Sequence, residues 1–242
     1  MNAHLFSVFS KSTVASTVVC YFLFNVFYSV CLRFNSLDSS RQRQMASKLV
    51  SVCHALFSFV YAALCITSMD FQHIIISYSV HTSILLGCSC GYFLYDIMLC
   101  LFILKDRSLA NTLHHGTSLL CLCAVAFAQR GAFFLYFQLL TECTTPLLHS
   151  IWILRSWTYY QNHWLIKVIA VLLVLCWIPF RVLQSLLYIP IMMTNWNQYW
   201  EVLRAVPGGI IFFGIVVGSV LNFYWFYLLL KKLFESFKGK VE

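Results

Sequence analysis

Two adjacent imidazoles, His114 and His115, open a strongly apolar stretch from Gly116 to Phe127. Three further ionisable groups, Asp96, Glu142 and Arg181, stand inside other apolar stretches, and His54 stands inside a fifth. Ionisable side chains at bilayer depth are costly, face the interior of a bundle and mark functional sites by default. Near neutral pH an imidazole serves as general base, general acid, nucleophile or metal ligand. A helical metal site needs histidines at i, i+4, and this pair is adjacent. His81, His149 and His163 stand alone, without the separated histidine boxes of a di-iron site. Metal is therefore the weaker option and acyl transfer the better one. One histidine would deprotonate an amine or hydroxyl, or take the acyl group itself, with a carboxylate orienting the ring. Opposite charges that are buried tend to pair, so Arg181 is expected to meet Glu142 or Asp96. Asp96, Glu142 and Arg181 also admit a plainer role as an interhelical polar lock, which explains the adjacent histidine pair less well, and for His54 a hydrogen-bonded core histidine is the simpler expectation.

The elements that must position these groups are membrane helices. The chain has 242 residues, of which 61% are hydrophobic and 10% charged. Soluble domains carry about 25% charged residues. Mean hydropathy is +0.80, the range of polytopic membrane proteins. A spanning helix needs about 20 apolar residues. Seven segments qualify, near 13–32, 49–67, 84–104, 113–129, 132–152, 164–189 and 206–230. The fourth is the weakest, because it opens on the two histidines. The fold class is all-α, a polytopic transmembrane bundle of about seven spans. Pro146, Pro179 and Pro190 are placed to kink the fifth and sixth spans. Gly208, Gly209, Gly214 and Gly218 give the last span small faces for close approach. The first apolar run reads as a signal anchor rather than a cleaved peptide.

The net charge of +8 is not a nucleic-acid footprint, because it is spread over short loops and the tail. Arg33, Arg41, Arg43, Lys48, Lys105, Arg107, Arg155, Lys167, Lys231, Lys232, Lys238 and Lys240 fall on one side of a seven-span chain. Lys11, Arg130 and Arg204 fall on the other. The positive-inside rule then puts the N-terminus in the lumen or outside and the C-terminus in the cytosol. The end, Lys238-Gly-Lys-Val-Glu242, matches a KxKxx retrieval signal for the endoplasmic reticulum, though a basic membrane-flanking tail would look the same. Most of the eleven cysteines lie in apolar segments and read as small packing residues. Cys88 and Cys90, like Cys121 and Cys123, are two apart on a helix and point to different faces, so neither pair shares a metal.

The motifs carry a resemblance. Asn111-Thr-Leu-His-His-Gly-Thr-Ser-Leu-Leu120 and Phe137-Gln-Leu-Leu-Thr-Glu-Cys-Thr-Thr-Pro-Leu-Leu148 resemble the TLC domain of ceramide synthases, translocon-associated TRAM proteins and small TLC-domain-containing proteins. Ser47-Lys-Leu-Val-Ser-Val-Cys-His-Ala55, Gly91-Tyr-Phe-Leu-Tyr-Asp96 and Leu221-Asn-Phe-Tyr-Trp-Phe226 extend it. The pattern around Glu142 is most similar to the small TLC-domain-containing proteins. The resemblance divides the chain into residues 1–44 with the first span, a TLC domain over 45–235 and a basic tail over 236–242. It implies helices around a lipid-accessible cavity. It also implies a role for His114 and His115 as base or acyl acceptor, with Glu142 orienting them. Asp96, Arg181 and His54 would contact substrate. Ceramide synthases carry a second carboxylate where Thr145 stands here, and a histidine where Thr141 stands; the homeobox-like segment of many animal members is missing too.

Three functions follow as expectations. The first is a lipid-handling protein of sphingolipid or phospholipid homeostasis. The second is a ceramide synthase-like N-acyltransferase moving an acyl group from acyl-CoA to a sphingoid base. The third is a cargo or translocon accessory factor of the endoplasmic reticulum. No cofactor is expected, with acyl-CoA as co-substrate under the second. Expected partners are membrane lipids, with a homodimer admissible and no nucleic acid.

Overall fold

In the computed structural model, residues 1–34, 37–69, 75–105, 108–157, 164–194, 196–203 and 205–237 are described. The KxKxx tail, Arg107, His163 and Arg204 lie outside them. All regular structure among the described residues is helical. Helix α1 (Ala3–Cys31) and α2 (Ser39–Thr67) come first, followed by α3 (Val80–Met98), which continues as a π-helical turn over Leu99–Leu104. Next come α4 (Leu109–Ala128) and α5 (Ala132–Leu140), then a 3-10 turn (Thr141–Thr144) leading into α6 (Thr145–Ser156). Helix α7 (Trp164–Trp177) passes through a second π turn (Ile178–Leu183) into α8 (Gln184–Thr194). A short α9 (Trp196–Leu203) precedes α10 (Ala205–Phe237).

Several helices begin earlier than hydropathy alone predicts. Asn2, Asp38, Ser79 and Ser108 each accept a hydrogen bond from the first turn through their side chains. Such caps contribute roughly 1 kcal/mol apiece, enough to add polar turns that a hydropathy window leaves out. Ser79 and Thr82 close a reciprocal capping box. The short α9 was not expected, because its eight residues fall between apolar segments.

Two of the three prolines expected to kink the spans sit where the regular α-helix is interrupted. Pro146 has no N–H for the carbonyl of Glu142. That carbonyl takes the N–H of Thr145 instead, and the chain tightens into the 3-10 turn. Pro179 falls in the π turn that carries Arg181. Pro190 lies within α8, which runs on to Thr194.

Five helices are long and apolar enough to cross a membrane: Ala3–Cys31, Ser39–Thr67, Val80–Leu104, Trp164–Thr194 and Val206–Glu235. Of the other two expected spans, α4 has a polar first half that holds Asn111, Thr112 and the two histidines, and α5–α6 is broken by the 3-10 turn. Helix α4 packs against α3 and α10, while α5 and α6 pack against α2. The ends alternate as seven crossings require. At one end, Asn2 and Gln129 exchange hydrogen bonds of 2.6 and 2.8 Å. At that same end Gly131 N–H donates to Ile75 O at 2.7 Å, and Arg130 donates to Val202 O at 3.3 Å. At the opposite end Phe34 packs on Trp157 and Lys48 lies over the Trp152 ring. The architecture is thus compatible with seven crossings.

The tightest helix contact is α1 on α3. A Cβ at Gly87 or Gly91 would run into the α1 backbone at Phe9 O or Thr13 O. Close approach lets Ser16 donate to Cys88 O at 2.7 Å and Thr17 to Gly91 O at 3.2 Å. Such small-residue contacts and side-chain-to-backbone bonds hold helices together where lipid supplies no hydrophobic drive. On α10, Gly214 meets Cys121 of α4 and Gly208 meets Trp200, but Gly209 faces open space. Large apolar side chains such as Phe22, Phe102, Leu175 and Phe213 are exposed on the outside of the bundle, as lipid contact requires.

Candidate functional site

A chamber of about 720 Å³ opens among α2, α3, α4, α6, the Arg181 turn and α10. Asp96, His114, His115, Glu142 and Arg181 all line it. Five groups spread over the sequence therefore share one cavity. His149, set aside in the sequence, lines it as well. Its spacing of two helical turns from Glu142 was the available signal.

His115 and Asp96 form the closest pair, with Nδ1 to Oδ2 at 2.9 Å. An ionised carboxylate only accepts, so against it Nδ1–H of the ring donates and Nε2 is the ring nitrogen turned away from Asp96. Cys100, one turn on, lies 3.6 Å from the same oxygen. The π turn after Met98 starts here and ends at Lys105, whose φ of +52° closes the helix in left-handed geometry.

His114 projects differently, as adjacent helical residues must. Its ring meets Trp225 edge-on at 5.3 Å and Phe93 at 6.3 Å. The two histidine rings are 5.3 Å apart. Both reach the chamber because they sit in the second turn of α4, close to its open end.

Glu142 accepts from Thr145 Oγ at 2.7 Å. Thr145 stands where ceramide synthases carry a second carboxylate, and here it is a neutral donor to the first. Glu142 meets neither imidazole. The carboxylate that orients a histidine is Asp96, not Glu142, because the 3-10 turn directs Glu142 towards Thr145 while α3 and α4 run side by side.

Arg181 also departs from expectation, since it pairs with neither acid. Nε donates to Thr144 Oγ at 2.8 Å, Nη1 to Asn222 Oδ1 at 3.0 Å and Nη2 to Thr141 O at 3.2 Å. The guanidinium lies 4.5 Å over Trp177. Neutral acceptors and an aromatic face satisfy it, and it ties the 3-10 turn to α10.

His54 does not line the chamber. It stacks on Tyr92 at 3.9 Å and 11°, and its Nε2 is buried without a hydrogen-bond partner. The expectation of a hydrogen-bonded core ring is right about burial and wrong about the bond at Nε2. Tyr92, which His54 supports, donates to Ser51 at 2.9 Å and faces the chamber. Among the described residues, no three His, Cys, Asp or Glu are placed to hold a metal ion.

A second pocket adjoins the first. Phe93, His114, Glu142 and Arg181 line both. Beyond them the walls turn apolar, with Leu122, Phe134, Leu135, Leu139, Ile211 and Ile215. At the end where α2 starts and where α3 and α10 finish, the chamber is lined by Lys48, Lys105 and Lys232. The cavity thus grades from cationic rim through a titratable throat to an apolar end.

Fold and site together define a polytopic membrane protein with an internal amphipathic cavity. The TLC domain family model, that of TRAM, LAG1 and CLN8, matches residues 44–231. The chain belongs to that family. It matches no curated protein sequence.

Proposed function

We propose that the protein binds a membrane lipid in this cavity and acts in membrane-lipid homeostasis. One observation carries the proposal: the cavity's grading from lysines to titratable groups to an apolar pocket. An amphiphile has the same grading, with its head in the polar chamber and its chain among Leu135, Leu139 and Ile215. Ligand sites of this kind are mostly apolar with a few convergent polar groups. The positive rim supports a C-terminus in the cytosol and an N-terminus on the other side, and the KxKxx tail supports the endoplasmic reticulum membrane. The test is thermal unfolding of the detergent-purified chain with lipids of graded chain length. Stabilisation that rises with chain length and is lost in Ile215→Trp supports the proposal. Equal stability with and without every lipid overturns it.

The 2.9 Å pair of His115 and Asp96 favours a second reading, acyl transfer to a sphingoid base. Asp96 would hold the His115 ring so that its free nitrogen takes a proton from the attacking amine. The amine nitrogen would then bond to the acyl carbon as the carbon–sulfur bond breaks and the thiolate of coenzyme A leaves. Targeted sphingolipid mass spectrometry in cells without their own ceramide synthases tests it. Ceramide restored by the wild type and lost in His115→Ala supports transfer. Correctly localised wild type without ceramide overturns it and leaves lipid binding standing.

A further inference from the structure

Cys90 of α3 and Cys123 of α4 bring their sulfurs to 3.9 Å. They come one from each of the two CxC pairs, and Cys121 points instead to Ile210 O of α10. Cys90 is fully buried and Cys123 half-buried. The pair lies inside the spans, beyond the reach of the aqueous thiols that keep cytosolic cysteines reduced. An oxidant that meets it must dissolve in the bilayer.

We propose that Cys90 and Cys123 are a redox-active dithiol, converted to an interhelical disulfide by a lipid hydroperoxide. The less buried thiol, Cys123, attacks the peroxide. The O–O bond breaks, the lipid leaves as an alcohol and Cys123 becomes a sulfenic acid. Cys90 then attacks that sulfur, the S–S bond forms and water departs. Two thiols and one hydroperoxide give one disulfide, one alcohol and one water, with two electrons passing from sulfur to the peroxide.

The bond has a consequence for the chamber, which rests on the lipid-binding reading. Asp96 follows Cys90 along α3, and His115 precedes Cys123 along α4. The thiol pair and the His115–Asp96 pair therefore bridge the same two helices about 10 Å apart along them. A disulfide holds its sulfurs at about 2.05 Å, so forming it draws α3 and α4 together. The spacing of His115 and Asp96 shifts with it, and the oxidised protein binds lipid differently.

The test uses the full chain in lipid nanodiscs, reduced and then exposed to linoleic acid hydroperoxide. Digestion and mass spectrometry should find the Cys90 and Cys123 peptides linked with the loss of two hydrogens. The link should survive Cys88→Ser and vanish in Cys90→Ser and in Cys123→Ser. Folded wild type without that link, or with cysteines linked at random, overturns the proposal. Lipid-induced thermal stabilisation is then compared before and after oxidation. A severalfold change, reversed by reductant and absent in Cys123→Ser, supports the coupling. A complete link with unchanged lipid stabilisation overturns the coupling. Absence of lipid stabilisation even in the reduced protein counts instead against the lipid-binding reading, and the link is judged on its own.

Discussion

Arg181 shows how a buried cation is accommodated when no carboxylate meets it. Its three hydrogen bonds run to Thr144, Asn222 and Thr141 O; without the side chain Asn222 Oδ1 loses its donor, while Thr144 Oγ and Thr141 O keep the bond between them. An unpaired buried polar group costs about 1–3 kcal/mol. Arg181→Ala should therefore lose about 1–3 kcal/mol, seen as a lower unfolding midpoint in detergent. Arg181→Lys should not restore it, since a point charge cannot reach three divergent acceptors. An unchanged midpoint in either variant would remove Arg181 from the framework. For His115 the expectation is functional. Asp96→Asn keeps the shape but presents an amide where the ring needs an acceptor of charge. If the protein transfers acyl groups, the rate should fall about 100-fold or more with folding intact. A rate within twofold of wild type would show that the pair is structural.

At the scale of elements, α1 and α3 are joined by backbone proximity. Gly91→Leu would push a side chain into Thr13 O and Ser16. It should abolish folded protein, read as loss of the monodisperse peak in gel filtration. Gly116 offers the matched control, since a Cβ there meets nothing within 4 Å. Gly116→Ala should leave stability equal or raise it by up to about 1 kcal/mol through helix propensity. Equal behaviour of the two variants would refute the account of the α1–α3 contact. On α10, Gly218 lines the apolar pocket near Gln138. Gly218→Leu would fill that pocket's wall, so the longest lipid chain that stabilises the protein should shorten. The same chain-length profile in the variant would move the chain-binding end elsewhere.

For the whole molecule, sidedness is the testable property. Asn2 and Gln129 share one end, while Lys48, Lys105 and Lys232 line the chamber at the other. Tags at the two termini should report opposite sides in sealed microsomes, with the C-terminal tag cleaved by added protease and the N-terminal tag protected. Termini on the same side would leave an even number of crossings and displace either α4 or α5–α6 from the membrane.

Hydropathy by itself determined that this chain is a helical membrane bundle, because a bilayer leaves few ways to satisfy a backbone. Near-20-residue apolar runs could be counted directly, and the prolines marked where α6 and the Arg181 turn deviate. It also marked Asp96, His114, His115, Glu142 and Arg181 as a set, since ionisable groups in apolar runs stand out. Only the tertiary structure decided their partners. Whether Arg181 meets an acid or three neutral acceptors depends on how helices turn against one another, and a hydropathy pattern carries no such rotation. The same holds for Asp96 rather than Glu142 reaching His115, for His149 joining the chamber, and for the α1–α3 contact at Gly87 and Gly91. Each is a long-range contact set by angles of tens of degrees about helix axes, fixed by packing across the whole bundle.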